Sequence, residues 1–248
     1  MDQQYKKVAL VTGSTGGIGT AICSKLYEEG YRVVGNYRSR DKGIALQIGM
    51  ASRGYEIDLM ECDVTDFEAV GRMIHSIEEE IGPVDILINN AGITKDSRFG
   101  KMSKFDWDTV IDTDLNSVFN CTRHVINGMI ERGNGRIVNI SSINAQKGQF
   151  GQVNYCAAKA GVHGFTKSLA LEVAKYGITV NTVSPGYINT EMVLAVPEKI
   201  REQIVAQIPV GRLGCIEEIA EAICYLLSEK ASFITGSNLC INGGHHMY

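Results

Sequence analysis

Tyr155 and Lys159 stand four residues apart, so on a helix they share one face, one turn above the other. A fixed ammonium beside a phenol favours the phenolate and lowers its pKa, which would let the tyrosine donate a proton near neutrality. Ser142, thirteen residues earlier, follows the apolar run Ile137–Ile140 and is expected at the C-terminal mouth of a strand. Open α/β sheets place their ligands there. Read plainly, the same pattern is an ordinary helix start with an exposed lysine and a half-buried tyrosine. What the remaining elements build around it decides between the two.

The 248 residues, 44% hydrophobic and 21% charged, can bury the core of one large α/β domain. A net charge of −4 without runs of like sign leaves no electrostatic footprint for nucleic acid or an anionic membrane. The seven cysteines (23, 62, 121, 156, 215, 224 and 240) are scattered, odd in number and form no CxxC pair. Reduced thiols in a cytoplasmic protein fit this pattern better than a disulfide framework or a zinc site. His245 and His246 are adjacent but lack carboxylate or cysteine partners at ligand spacing, so no metal is expected. The opening MDQQYKKVALVTG enters a strand without an apolar signal core, and no window reaches transmembrane length.

Val8–Val11 reads as a strand, followed by the turn Thr12–Gly19, a helix to Glu29, and a second strand beginning at Val33. This is the context in which phosphates rest on a helix N-terminus. The spacing is TGxxxGxG (Gly13, Gly17, Gly19) rather than GxGxxG, with glycine needed for unusual φ and close backbone approach. Beyond the second strand come Arg38, Ser39 and Arg40, with no acid before Asp41. An acid there would accept from a ribose 2′-hydroxyl; two arginines and a serine instead suit a 2′-phosphate. One charge-assisted bond of roughly 1.5–3 kcal/mol discriminates by about 10- to 100-fold, so NADPH is favoured without excluding NADH. The plain alternative is a solvated basic loop.

A helix near 42–52 and a strand over Ile57–Met60 deliver Asp63 and Val64. Asp63 suits either an adenine-edge contact or a capping turn, since Asp66 precedes the helical run Phe67–Ile81. The strand Ile86–Ile88 leads into Asn90, Ala91 and Gly92. Ser103–Arg132 reads as helix in two pieces, with Phe105, Trp107, Val110, Phe119 and Val125 among its apolar positions; Trp107 is read as core. After the strand at Ile137–Ile140 comes the helix Tyr155–Tyr176, and the strand Ile178–Val183 delivers Pro185, Gly186, Tyr187, Ile188 and Thr190. Residues 187–214 read as a substrate lid, and a helix (Ile216–Ser228) and strand (Asn238–Ile241) complete the chain. Alternating strands and helices without linker or repeat predict a single α/β domain over 1–248, a doubly wound Rossmann fold with a mainly parallel seven-stranded sheet.

TGSTGGIG, NNAG, Ser142, YCAAK and PGYINT occur in the order and spacing of the short-chain dehydrogenases/reductases, which the chain resembles over essentially its whole length. Within that family it looks most like the reductases of 3-oxoacyl thioesters, through GGIGTAIC, AGITKD, NAQKGQFGQVNY, SPGYI and INGGHHM. The resemblance implies Tyr155 as proton donor, Lys159 as the group that lowers its pKa and holds the nicotinamide ribose, and Ser142 as hydrogen-bond partner of the developing alkoxide. It puts Gly13, Ser14, Gly17, Ile18 and Gly19 along the pyrophosphate, Asp63 and Val64 beside adenine, and Asn90, Ala91 and Gly92 along the adenosine ribose. Pro185, Gly186, Ile188 and Thr190 would position the carboxamide. Gln149, Phe150, Gln152 and Tyr187 would shape an acyl-CoA site with Asp96 and Lys101 at its rim.

The implied reaction is NADPH-dependent reduction of acetoacetyl-CoA to (R)-3-hydroxybutanoyl-CoA, as in polyhydroxybutyrate biosynthesis. The runner-up is the same reduction on an acyl carrier protein, for which Arg98, Lys101 and Lys104 could form a basic rim. A non-catalytic NADP-binding sensor stands third. Homotetramers are common in the family, and the helices near 105–132 and 155–176 could build one. One position departs from the pattern: Asp114 stands where the family usually has an asparagine that supports a water linked to the lysine. A carboxylate cannot donate as an amide does, and it adds negative charge near Lys159, so an altered pH profile is expected.

Overall fold

The structure, a computed structural model, describes residues 6–247. Both ends of the domain expected over 1–248 therefore lie outside the described residues. Short apolar runs, each too brief for a helix, form seven strands: β1 (Val8–Val11), β2 (Arg32–Tyr37), β3 (Asp58–Glu61), β4 (Val84–Asn89), β5 (Gly135–Ile140), β6 (Ile178–Pro185) and β7 (Asn238–Ile241). They make one sheet in the order β3-β2-β1-β4-β5-β6-β7. Every pairing is parallel, so the sheet is wholly rather than mainly so.

The connecting helices are α1 (Gly17–Glu28), α2 (Arg40–Ser52), α3 (Phe67–Glu80), α4 (Lys104–Ile111), α5 (Ser117–Arg132), α6 (Asn144–Lys147), α7 (Val153–Val173), α8 (Glu191–Leu194), α9 (Glu198–Val205) and α10 (Ile216–Leu227). Successive strand side chains alternate between faces, so β1 sends Val8 and Leu10 into one core and Ala9 and Val11 into the other. The first core packs against α3, α5 and α7 and the second against α1 and α10. Burial on both faces explains why the strands read as continuous apolar runs instead of alternating ones.

The chain winds outward from β1 to β3, then returns to lay β4 on the other side of β1. That reversal opens a crevice at the C-terminal ends of β1 and β4. The region expected as two helical pieces has a π turn, Asp112–Asn116, between α4 and α5, and Asp114 at its centre is fully buried. A π turn widens the helix by one residue and re-aims the side chains within it. Phe105 and Phe119 are 71% and 51% exposed and Trp107 is half-buried, so these aromatics are not the core positions their apolarity suggested. No helix among the described residues is long and apolar enough to cross a membrane.

Candidate active site

Strand β5 ends at Ile140 and hands the chain to Ser141 and Ser142, both buried. Ser141 N–H donates to Val183 O at 2.8 Å, and its hydroxyl donates to Lys159 O at 2.9 Å, tying the strand end to α7. Ser142 Oγ accepts from Asn144 N–H at 3.1 Å. Helix α7 begins two residues before Tyr155 and so presents Tyr155 and Lys159 on one face, with Nζ 5.7 Å from the phenol ring centroid. Lys159 Nζ donates to Ile140 O at 3.0 Å and lies 3.3 Å from Asp114 Oδ2. The four residues expected to do chemistry therefore meet at one point, three on the cleft wall and Asp114 behind them.

The lowered Tyr155 pKa expected from the Tyr/Lys pair is corrected by this geometry. Burial pushes the phenol up, Lys159 pulls it down, Asp114 pushes it up again, and hydrogen bonding with Ser142 offsets only part; the result lies above the ordinary phenol value. Burial alone would lower Lys159, but the Asp114 carboxylate and Tyr155 outweigh it and keep the ammonium above its ordinary value. Asp114 is itself raised: with no exposed surface, its burial outweighs the help from Lys159 and the Ile93 N–H.

From this point a cleft of about 600 Å³ runs along the strand ends to β2. Gly13, Gly17, Ile18, Gly19, Arg38, Ser39, Asp63, Val64, Asn90, Ala91 and Gly92 line it, as do Pro185, Gly186, Ile188 and Thr190. The glycine turn at its floor is packed on itself too closely for side chains. A Cβ on Gly19 would lie 2.3 Å from Gly13 O, and Gly13 itself has φ +62° with a virtual Cβ 2.8 Å from Ala91 Cα. The turn opens onto the N-terminus of α1, where a pyrophosphate finds backbone N–H donors and a favourable dipole.

Several expected roles change. Ser14 is fully buried, its hydroxyl donating to Asn36 O at 2.9 Å, so it ties the turn to β2 instead of lining the cleft. Both donors of the Asn90 amide are taken by Thr12 O and Gly13 O, at 3.0 and 3.1 Å, so its side chain shapes the glycine turn. Arg40 is the first residue of α2, which carries the chain off the cleft, and does not line it. Lys42 and Tyr37 do line it, although the sequence reading passed over them. The spacing of Lys42 from Ser39, one helical turn, was the available signal. Asp63 is not the cap of α3, which is Asp66; it closes a turn instead, its Oδ1 accepting from Thr65 N–H at 3.0 Å, and it lines the cleft paired with Arg38 at 3.8 Å.

None of the expected substrate residues lines this cleft, and all but Tyr187 stand on two loops, 94–101 and 148–152, that are joined to each other. Gln152 links the two rim loops, donating to Asp96 at 2.9 Å and accepting from Asn144 at 2.9 Å. Phe150 is 78% exposed, with the Arg98 guanidinium 5.5 Å from its ring centroid. Gln149 accepts from Lys147, and Lys101 is exposed in a short turn. Tyr187 is not brought to this point; it stacks on His245 at 5.7 Å and lines a separate cavity of about 120 Å³. Thr94, Thr113 and Glu191 also line the main cleft without having been expected there.

A family described as enoyl-(acyl carrier protein) reductase matches residues 13–246. The chain is 52% identical over 246 residues to an acetoacetyl-CoA reductase of Cupriavidus necator, covering 98% of this chain and 99% of that protein. It is 52% identical over 240 residues to nodulation protein G of Azospirillum brasilense, covering 96% and 98%. It is 44% identical over 241 residues to the 3-oxoacyl-[acyl-carrier-protein] reductase FabG of Vibrio cholerae, covering 97% and 98%.

Proposed function

Because the chain belongs to the short-chain dehydrogenase/reductase family and is an oxidoreductase with a nicotinamide cofactor, we propose that it reduces acetoacetyl-CoA with NADPH to (R)-3-hydroxybutanoyl-CoA. The observation that carries the reading is the convergence of Ser142, Tyr155 and Lys159 at one end of a glycine-floored cleft. The cofactor, when bound, supplies the hydride that reduces C3 of the 3-oxoacyl group. Gly13, Gly17, Ile18 and Gly19 would hold its pyrophosphate, while Pro185, Gly186, Ile188 and Thr190 would flank the nicotinamide end. Lys159 has three N–H donors, of which Ile140 O and Asp114 engage two, leaving one for a ribose hydroxyl.

Ser142 donates to the substrate C3 oxygen and orients it toward the phenol. Tyr155 then passes its proton to that oxygen as negative charge develops there, a general-acid role aided by the nearby ammonium. The preference for NADPH rests on Arg38, Ser39 and Lys42, two cations and a hydroxyl at the end of β2, where the acid that lines the cleft, Asp63, is already paired with Arg38. Residues 187–214, with α8 and α9, would act as the lid. The exposed Phe105, Phe119 and Leu171 on α4, α5 and α7 support a homotetramer. We place the enzyme in the cytoplasm, in polyhydroxybutyrate biosynthesis.

The carrier-protein reading is favoured by one observation, the exposed rim cations Arg98, Lys101 and Lys104. A kinetic panel crossing NADPH and NADH with acetoacetyl-CoA and acetoacetyl carrier protein separates the readings. The highest kcat/KM is expected for NADPH with acetoacetyl-CoA. A higher value with the carrier thioester would move the substrate assignment, and no cofactor oxidation in any arm would remove the reductase reading.

A further inference from the structure

Asp114 is the one charged group in the catalytic cluster that touches neither the cleft nor solvent. It sits in the π turn between α4 and α5, and Leu115 beside it packs so closely on α7 that a Cβ on Gly161 would lie 2.9 Å from it. One carboxylate oxygen, Oδ1, accepts from Ile93 N–H at 2.9 Å. The other, Oδ2, is buried and faces the Lys159 ammonium 3.3 Å away. The space above the pair is closed by Gly92, where a Cβ would meet Oδ2 at 2.9 Å and Nζ at 3.1 Å. An unpaired buried carboxylate is costly, and so is an unpaired buried ammonium; together they fix one another.

We infer that Asp114 is a positioning residue that holds Lys159 through a direct buried ion pair and thereby sets how strongly that ammonium acts on Tyr155. The inference rests on the reductase reading and deepens it. An ammonium alone would draw the proton off the phenol. Pairing with a carboxylate offsets part of that pull, so Tyr155 keeps its proton to higher pH than it would beside a lone ammonium. The other groups facing this cluster do not replace that effect. Ser142 contributes a hydrogen bond, Cys156 on α7 pushes Tyr155 the same way as Asp114, and Asp112 in the same turn is engaged by Asn116 at 2.7 Å. Asp96 and Lys147 act on Cys156 from the rim with opposite signs.

Reduction adds a hydride to C3 and a proton to its oxygen, leaving a phenolate that regains its proton from solvent. Reduction therefore needs neutral Tyr155, and the reverse oxidation needs the phenolate. In Asp114→Asn the shape stays and the charge goes, so Tyr155 loses its proton at lower pH. The alkaline limb of kcat/KM for reduction should move down by about one pH unit or more, a tenfold change in the ionisation ratio. The acid limb for oxidation of (R)-3-hydroxybutanoyl-CoA should move down with it. Limbs that stay in place or move up, with kcat lowered equally at all pH values, would show a merely structural role and overturn the inference.

A second measurement reads the phenol directly: ultraviolet difference titration against Tyr155→Phe, made both with Asp114 present and in Asp114→Asn. Ionisation of Tyr155 at lower pH in Asp114→Asn is expected. The same midpoint in both would overturn the inference. Failure of the reductase reading is distinguishable, because it would appear as wild-type turnover that is absent or survives Tyr155→Phe.

Discussion

Tyr155 takes its electrostatic setting from three groups that its sequence neighbours announce only in part. The four-residue spacing to Lys159 marks the shared helical face, and Ser142 marks the strand end. The third, Asp114, lies 41 positions before Tyr155 and acts through Lys159, which only the folded chain shows its carboxylate to reach directly. This is why a lowered phenol pKa was expected from the pair, and why burial together with a second charge reverses the direction. Cofactor choice is decided at the same scale. Replacing Arg38 and Lys42 together by alanine removes the two cations at the end of β2. Each charge-assisted bond lost costs about 1.5–3 kcal/mol, so kcat/KM for NADPH should fall at least about 10- to 100-fold while that for NADH changes little. Steady-state kinetics with both cofactors checks this, and equal losses for both would contradict it.

Among the elements, the π turn and the lid anchor were the least legible. A π turn shares its apolar spacing with the α-helices on either side, so Ser103–Arg132 shows only as a two-piece helix with no sign of which way Asp114 faces. The far end of residues 187–214, the proposed lid, is tied down where α10 starts. Glu218 accepts from Cys215 N–H at 2.7 Å and pairs with Arg212 at 2.7 Å. The Arg212 hydrogen bond, then the Cys215 N–H, hold its carboxyl down from 4.5 to about 2. A depressed carboxyl stabilises the fold above its unfolded value and loses that contribution as pH falls through the folded one. Glu218→Gln should therefore lower Tm near pH 7, by about 2–4 °C for each kcal/mol lost in a chain of this size. The gap to wild type should narrow as pH drops below 4.5 toward about 2. Thermal melts across that range check it; a constant gap would remove the charge from the explanation.

At the scale of the whole molecule, the sheet was legible because buried parallel strands are continuous apolar runs, and all seven were found within about two residues at each end. Among them β6 runs two residues past its expected end, through Ser184 and Pro185, which brings Pro185 into the cleft wall. Most of the cleft followed, since a parallel sheet brings the ends of β1, β2, β4, β5 and β6 to one edge. Less legible were the residues whose environment depends on a single step of chain. Ser14 turns inward where Thr15 and Gly16 face the cleft, Arg40 departs with α2, and Tyr187 turns away beside Ile188. The exposed Phe105 and Phe119 were unreadable for another reason: apolarity alone does not distinguish a domain core from a face that a second subunit would cover. Cofactor cleft, strand-end serine and buried ion pair all lead to the proton-donor role of Tyr155. Its most direct test is the turnover of Tyr155→Phe with NADPH and acetoacetyl-CoA beside wild type, with cofactor binding measured on both. A loss of about 10² to 10⁴ in kcat with NADPH affinity retained is predicted; full turnover in the variant would contradict it.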